Sequence, residues 1–428
     1  MIQPILDRKN QDGALIAYGE RRYTLNELRQ HSQDLARILG KKTGSTCLVH
    51  SDKPAEIIAA VDACIRSAAH LMIAHTSLPH DVFTQLVETY RPAIIVDSGA
   101  VTSFADGSAE ASEQNLFLMT SGTTGQPKIV THRLGQLIGS IKVPLHANTH
   151  NWMLTYQPTG FAGLQVMLAA IVGGARLFAP QVRTPSQFLA TARDNAVTHV
   201  SGTPTFWRSL LISGAQELDL QQVTLGGEAV DQLILDRLRA AFPKARISHT
   251  YASTEAGMVF AVHDGKQGFP REWLDHAVDS IELKIVDDYL HIRSARMMRK
   301  YANSDHQPFE NIDWLATRDR CEIKGDRVHI IGREDSVINV AGSKVYPAEV
   351  EAFLLQQVGV AEARVFCVKN PISGSLVGAE VVGEASTSRE ELKSRLILAC
   401  REELPGFKVP RILKIVDQIN IGHSMKKG

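Results

Sequence analysis

The sequence predicts an α/β protein that ends in a smaller α+β lobe. Strand-like and helix-like runs alternate from Ala14 to Gly257, the pattern of mostly parallel sheets with covering helices. Beyond Val262 short alternating strands crowd together, and a mixed pattern returns from Ser336 to Gly428. Between the two alternating blocks stands Leu116–Lys128, an apolar run that passes into a loop almost entirely of hydroxyls and glycines.

Ala14–Tyr18 reads as a strand and Gly19–Arg22 as a tight turn. Thr24 and Glu27 have the spacing of a capping box, and Leu25, Leu28, Leu35, Ile38 and Leu39 give the following helix its apolar face. Strand Thr46–His50 follows, then a helix through Ile57–Arg66 with Pro54 in its first turn. Strand His70–Ala74, helix Asp81–Tyr90 and strand Ala93–Val96 complete the first block, and Asp97–Gln114 reads as a surface loop. In the second block come strand Trp152–Tyr156, loop Gln157–Gly163 and an apolar helix to Val172 that Gly173-Gly174 ends. Strands Arg176–Phe178, His199–Ser201, Val223–Leu225 and Ile247–Thr250 then alternate with helices, among them Ser186–Asn195 and Asp231–Ala241. Ile281–Val286, Leu290–Ile292, Cys321–Lys324 and Arg327–Ile330 make a small β-subdomain, and helices at Pro347–Gln357 and Ser388–Glu403 belong to the last lobe.

A chain of 428 residues suggests roughly two to four domains of about 150 residues. Lysine plus arginine equals aspartate plus glutamate at 46 each, so no global basic field points to nucleic acid or a membrane surface. The five cysteines are scattered and never paired as CxxC, which argues against a disulfide framework or zinc site and suits a reducing compartment. Met1–Gly13 lacks the apolar core of a signal peptide, and the apolar run Val166–Val172 is too short to span a bilayer. The expectation is a cytoplasmic protein with no membrane span and no nucleic-acid partner.

Thr120-Ser121-Gly122-Thr123-Thr124-Gly125-Gln126-Pro127-Lys128 is a phosphate holder in physical terms. Glycines let backbone N–H groups approach an anion, hydroxyls add donors, and the lysine adds charge. It is not a Walker loop, since the lysine follows a proline and the chain runs on extended through Ile129-Val130-Thr131 rather than opening a helix.

With this loop, Gly226–Ala229, Tyr251–Gly257, Trp314–Asp319, Gly332–Glu351 and Lys426 in that order, the sequence resembles the adenylate-forming (AMP-binding) superfamily of acyl- and aryl-CoA synthetases and stand-alone adenylation enzymes. The resemblance covers essentially the whole chain. It implies a large N-terminal domain of α/β subdomains, residues 1–333, with a β-subdomain over about 262–333. A small mobile α+β lid, 334–428, would follow a hinge near Asp335. It also implies the substrates ATP, a small carboxylic acid and a thiol (CoA or phosphopantetheine), with Mg²⁺ as cofactor.

Residue by residue, the resemblance gives Thr120, Ser121, Gly122, Thr123, Thr124, Gly125 and Lys128 to the phosphates, and Thr254 and Glu255 to phosphate and Mg²⁺. Gly226, Gly227, Glu228 and Tyr251 would hold adenine, although a packed core tyrosine is the rival reading for Tyr251. Asp319 and Arg333 would hold the ribose. The family pattern Thr-Gly-Asp is here Thr317-Arg318-Asp319. Lys426, with Lys427 as the register alternative, stands where the family carries its adenylation lysine, though the preceding proline and glycine are absent. Gly342 and Lys344 match the thiol-channel segment. Thr254, Glu255, Lys128 and Lys426 form the catalytic set.

The loop Gln157–Gly163 contains no acid, so an α-amino group would be buried there without a partner. The acid therefore lacks one. Gly160, Phe161, Gly163 and Met258 are candidates for its pocket, and Phe206 and Trp207 are pocket or plain core. CoA is the leading acceptor. A separate acyl carrier protein acting in trans, and a degenerate nucleotide-binding homologue without turnover, are the alternatives.

Overall fold

The computed structural model describes residues 3–8, 15–40, 44–104, 114–120, 127–303, 313–370, 374–384 and 387–419. Its N-terminal part is built on two sheets, the first mostly parallel and the second with three parallel and three antiparallel pairings. The first has eight strands in the order Gly257–Val262, Arg246–Ser253, Gln222–Gly226, His199–Gly202, Asn151–Leu154, Arg176–Ala179, Leu15–Tyr18 and Arg21–Thr24, antiparallel only at its two ends. The second has seven, in the order Lys300–Tyr301, Lys128–Arg133, Asn115–Thr120, His70–Ala74, Thr46–His50, Ile94–Asp97 and Ala100–Ser103.

Helices fill the space between the sheets because their sequences leave them no polar face. Pro54–Ser67 is buried along nearly its whole length, and Phe161–Val172, apolar all round, packs against it. Asp62 is fully buried in this layer and accepts from Leu6 N at 2.9 Å, Ser32 Oγ at 2.7 Å and Arg66 Nε at 2.6 Å, so its charge is both paired and hydrogen-bonded. The capping box closes as expected: Thr24 Oγ1 accepts from Glu27 N at 3.3 Å, and Thr24 N donates to the Glu27 carboxylate at 2.8 Å. Phe206 and Trp207 belong to the core. Trp207 has no exposed surface, donates to Thr224 O at 3.0 Å and sits in an aromatic cluster with Phe206 and Phe242. The helix Pro204–Ile212 turns both rings beneath the sheet and away from any pocket.

A five-stranded antiparallel sheet follows, in the order Phe269–Pro270, Arg327–Arg333, Leu315–Lys324, Tyr289–Ser294 and Ile281–Val286. Its two long strands extend past the short runs legible in the sequence, and the extension pairs Asp319 with Arg333 directly across the ladder. The C-terminal domain lays helices Pro347–Gln356 and Arg389–Glu403 on a sheet of Val360–Asn370, Gly374–Gly383 and Ile412–Val416 with a core of its own. It touches the body through helix Pro204–Ile212, through Leu233, and through Arg237 Nη2 to Glu384 Oε1 at 3.2 Å.

One expectation is corrected. The surface loop expected over Asp97–Gln114 contains strand Ala100–Ser103, turned back on Ile94–Asp97 through Ser98 and Gly99. All four of its residues are exposed at the sheet edge, so no hydrophobic alternation betrays it. All five cysteines are free thiols. Among the described residues no helix is long and apolar enough to cross a membrane.

His150 and His199 stack at 3.9 Å beside Trp152, at the start of strands Asn151–Leu154 and His199–Gly202. Burial, and then the neighbouring His150, push the His199 imidazole down to about 4; burial also lowers His132, His150 and His249. The unfolded chain takes up these protons near pH 6.5 and the folded chain does not, so stability is complete above that pH and falls as pH drops toward about 4. Thermal melts between about pH 7.5 and 4.5 should show this decline. His199→Gln should flatten part of it, and an unchanged slope would show that the pair is not responsible.

Candidate active site

Of the expected site residues, Thr120, Gly226 and Tyr251–Glu255 stand at or just past the C-terminal ends of strands of the two large sheets, where open α/β sheets bind their ligands, while Asp319 and Arg333 come from the five-stranded antiparallel sheet. Strand Asn115–Thr120 and strand Lys128–Arg133 form an antiparallel hairpin with Thr120 opposite Lys128. The phosphate loop is therefore a strand-to-strand turn and no helix opens behind it. Residues 121–126 lie outside the described residues, so Ser121, Gly122, Thr123, Thr124 and Gly125 receive no structural description. The same holds for Lys426 and Lys427.

The exit side of the loop is braced by a distant segment. Lys300–Tyr301 pairs as an edge strand with Thr131 and Val130, Asn303 Nδ2 donates to Pro127 O at 2.9 Å, and Ile129 N donates to Asn303 Oδ1 at 3.0 Å. The ammonium of Lys128 stands 5.3 Å from the centre of the Tyr301 ring.

Thr254 and Glu255 occupy the turn between strands Arg246–Ser253 and Gly257–Val262. His132, only 3% exposed, donates from Nε2 to Thr254 O at 2.6 Å, which leaves its Nδ1 unprotonated while the ring is neutral. Met298 N donates to Glu255 O at 2.8 Å, and Tyr301 Oη donates to Glu255 Oε1 at 3.4 Å. Among the described residues no group of three or more His, Cys, Asp or Glu could hold a metal. A lone carboxylate beside a phosphate loop nevertheless fits Mg²⁺, which is commonly held by one or two carboxylates and the ligand's own phosphates.

The residues expected at the nucleoside form a chain of polar contacts. Tyr251, stacked on Phe260 at 5.3 Å, donates its hydroxyl to Asp319 Oδ2. Asp319 is 6% exposed, and Arg333 Nη1 lies 3.9 Å from its other oxygen. Burial pushes this carboxyl up while Tyr251 and Arg333 pull it down; burial and then the Asp319 charge hold the Tyr251 hydroxyl well above its ordinary range. Arg333 also grips Asp335 with two 3.0 Å bonds, and these depress the Asp335 carboxyl. Gly226 ends its strand under Tyr156 Oη, which donates to Gly226 O at 3.3 Å; a Cβ on Gly226 would meet Thr250 Oγ1 at 2.6 Å. Glu228 lies on the same turn, but its carboxylate accepts from Thr205 N at 3.1 Å and Thr205 Oγ1 at 2.7 Å. It braces the start of helix Pro204–Ile212.

Gly160 begins helix Phe161–Val172 and Phe161 is buried with its ring 5.7 Å from His132. A side chain on Gly163 would come within 2.0 Å of Gln157 O, so this helix sits tight on its own loop. Met258 borders a narrow cleft with His132, Gln165 and Arg296. Gly342 and Lys344 lie on the exposed hairpin Ile338–Val345, with Gly342 N donating to Asn339 Oδ1 at 2.9 Å.

Tyr301, Asn303, His132 and Tyr156 are site residues that sequence reasoning missed, and so is His75, whose Nε2 meets the Gln157 amide at 2.9 Å. Tyr301 and Asn303 carry no local signal, because their roles depend on pairing with residues more than 170 positions earlier.

Taken together, a phosphate-type loop, a single metal-capable carboxylate and a buried carboxylate–arginine pair on an α/β scaffold define a nucleotide-using enzyme. Comparison with known proteins gives the class a family. The model for AMP-binding enzymes matches residues 106–302, and that for the AMP-binding enzyme C-terminal domain matches 349–426, together well over half of the chain. The chain belongs to this family and is an AMP-forming acid–thiol ligase in type. It is 24% identical to 2-succinylbenzoate–CoA ligase of Bacillus subtilis (strain 168), over 94% of this chain and 91% of the relative. Among solved structures, o-succinylbenzoate CoA synthetase (MenE) from Bacillus subtilis shares the fold. Its complex with the acyl-adenylate intermediate OSB-AMP aligns with a TM-score of 0.73 at 21% identity, covering 100% of this chain and 97% of that one. Its complex with ATP and magnesium ion aligns at 0.69 and 21%, covering 96% and 94%.

Arg318, where the family pattern has glycine, adopts φ +62°, the left-handed region that costs a side-chain-bearing residue roughly 1 kcal/mol. Arg318→Gly should raise stability by about that amount, a Tm gain on the order of 1 °C for a chain of this size. An unchanged or lower Tm in thermal melts would show that contacts of the guanidinium outweigh the strain.

Proposed function

We propose that this protein activates a carboxylic acid lacking an α-amino group as its acyl-adenylate, releasing pyrophosphate, and passes the acyl group to the thiol of CoA. The observation that carries the reading is the convergence of two ends on one cleft. Lys128 and Glu255 meet around Tyr301, and Tyr251, Asp319 and Arg333 form one chain beside them.

In this reading the loop 120–128 grips the β- and γ-phosphates, which become the leaving group. Asp319 and Arg333 take the ribose hydroxyls, and adenine lies between Tyr251 and the Gly226–Gly227 backbone, with Glu228 bracing that turn. The acid's carboxylate attacks the α-phosphorus and the bond to the bridging oxygen breaks. Both partners are anions, so the work is positioning and charge neutralisation. Lys426 and Lys128 supply protein charge; Glu255 would hold Mg²⁺, which when bound neutralises phosphate charge. The acid enters beside Gly160, Phe161, Gly163 and Met258. In the second half the thiol sulfur attacks the acyl carbonyl and AMP leaves.

Residues 1–333 and 334–428 act as body and lid. The hinge near Asp335 is held in this conformation by its two bonds to Arg333. Rotation brings the Gly342 and Lys344 hairpin to the site and withdraws Lys426.

CoA is favoured as acceptor by a cavity of about 330 Å³ beside that hairpin, lined by Ala341, Ser343, Leu376, Phe407 and Arg411. An aromatic ring and a guanidinium on an otherwise apolar wall suit a nucleotide with phosphates.

Acid-dependent ATP–pyrophosphate exchange over a panel of aryl, short-chain and medium-chain acids tests the first half. Activity with at least one acid is expected, and none across the panel would reject turnover and leave a nucleotide-binding homologue. Lys426→Ala should slow exchange about 100-fold or more while sparing thiolation of supplied acyl-adenylate, as expected for charge stabilisation confined to the first half. Equal loss of both halves would remove Lys426 from that role. Arg411→Ala should raise KM for CoA roughly tenfold with exchange unchanged. Transfer to a carrier protein with no CoA turnover would instead favour the carrier-loading alternative.

A further inference from the structure

The segment Arg299–Asn303 leaves the five-stranded sheet and returns to the hairpin of the phosphate loop. Arg299 N donates to Thr131 O and Ala302 N to Ile129 O, both at 2.7 Å, so its backbone is fixed on each side of Tyr301. Asn303 locks the loop's exit at Pro127 and Ile129. Tyr301, between these anchors, is half-buried and touches two opposite charges. Its ring face carries the Lys128 ammonium at 5.3 Å, and its hydroxyl donates to Glu255 Oε1 at 3.4 Å. Lys128 comes from the seven-stranded sheet and Glu255 from the eight-stranded one.

A lysine and a glutamate in free reach of each other would pair and neutralise, leaving neither for a polyphosphate or its counter-ion. An aromatic ring between them holds both without cancelling either, through a cation–π contact on its face and a hydrogen bond at its edge. We propose that Tyr301 is a positioning residue that holds Lys128 and Glu255 apart and aimed at one ligand, a nucleoside polyphosphate carrying a divalent cation. The assignment presupposes that the site takes ATP as described above. It adds that metal-dependent and metal-independent affinity pass through different parts of the same side chain.

Isothermal titration of ATP without any acid tests this, with excess Mg²⁺ and with EDTA, on the full chain and on Tyr301→Phe and Tyr301→Leu. The unmodified protein should bind ATP more tightly with Mg²⁺. Tyr301→Phe keeps the ring and loses the hydroxyl, so that Mg²⁺ enhancement should shrink roughly three- to tenfold, with affinity in EDTA unchanged. Tyr301→Leu should in addition weaken binding in EDTA, because Lys128 loses its aromatic support. Should Tyr301→Leu fail to fold, Tyr301→Phe still decides the matter. Undiminished Mg²⁺ enhancement in Tyr301→Phe, or equal weakening under both conditions, overturns the proposal and leaves ATP binding intact. Absence of ATP binding by the unmodified protein in either condition overturns the nucleotide reading itself.

Discussion

A carboxylate with 6% of its surface exposed must find partners or give up its charge, and Asp319 draws its partners from separate parts of the chain. Tyr251 reaches it from the eight-stranded sheet, Arg333 from across the five-stranded ladder, and Arg333 carries the connection on to Asp335 where the C-terminal domain begins. This chain of polar contacts is therefore a junction and cannot form on any one sheet alone. Asp319 is the buried member, and loss of Tyr251 or Arg333 would leave its carboxylate short of partners in a poorly solvated place.

Parallel strands deliver their loops to one edge, so side chains distant in sequence arrive at the same cleft. The interior helices Pro54–Ser67 and Phe161–Val172 keep that edge rigid because they are buried on all sides. Arg318 is one of eleven described non-glycine residues with a positive φ, and it holds that left-handed angle one residue before the junction carboxylate. Strain stored beside a site persists only where the surroundings over-determine it, and here Asp319 is pinned from Tyr251 and from its own amide to Thr317 Oγ1 at 3.1 Å.

Much of this was legible in the sequence, for reasons that can be named. The Thr24–Glu27 box, Pro54 at a helix start and the alternation of apolar runs are local signals, and they placed the elements to within a few residues. Gly226, Tyr251, Asp319 and Arg333 were named as candidates through the family pattern, and the structure places Tyr251, Asp319 and Arg333 in one chain. Tyr251 also shows why the rival reading had force, since it is stacked on Phe260 like any core ring while its hydroxyl serves the site. Glu228 bears its charge toward a helix terminus, and Phe206 and Trp207 went to the core; side-chain direction on a turn or helix is set by packing that no local pattern records. Strand Ala100–Ser103 and the edge strand Lys300–Tyr301 escaped because short edge strands have no periodicity to read.

The two-residue strand Lys300–Tyr301 has a consequence for how the protein is made. The exit side of the loop is braced only when residues 300–303 arrive, through a contact spanning 174 positions between Ile129 and Asn303. The hairpin that bears the loop is local, but its outer edge stays open until Lys300–Tyr301 has been synthesised and paired with it. A nascent chain thus carries an incomplete loop and an unprotected sheet edge through much of its synthesis.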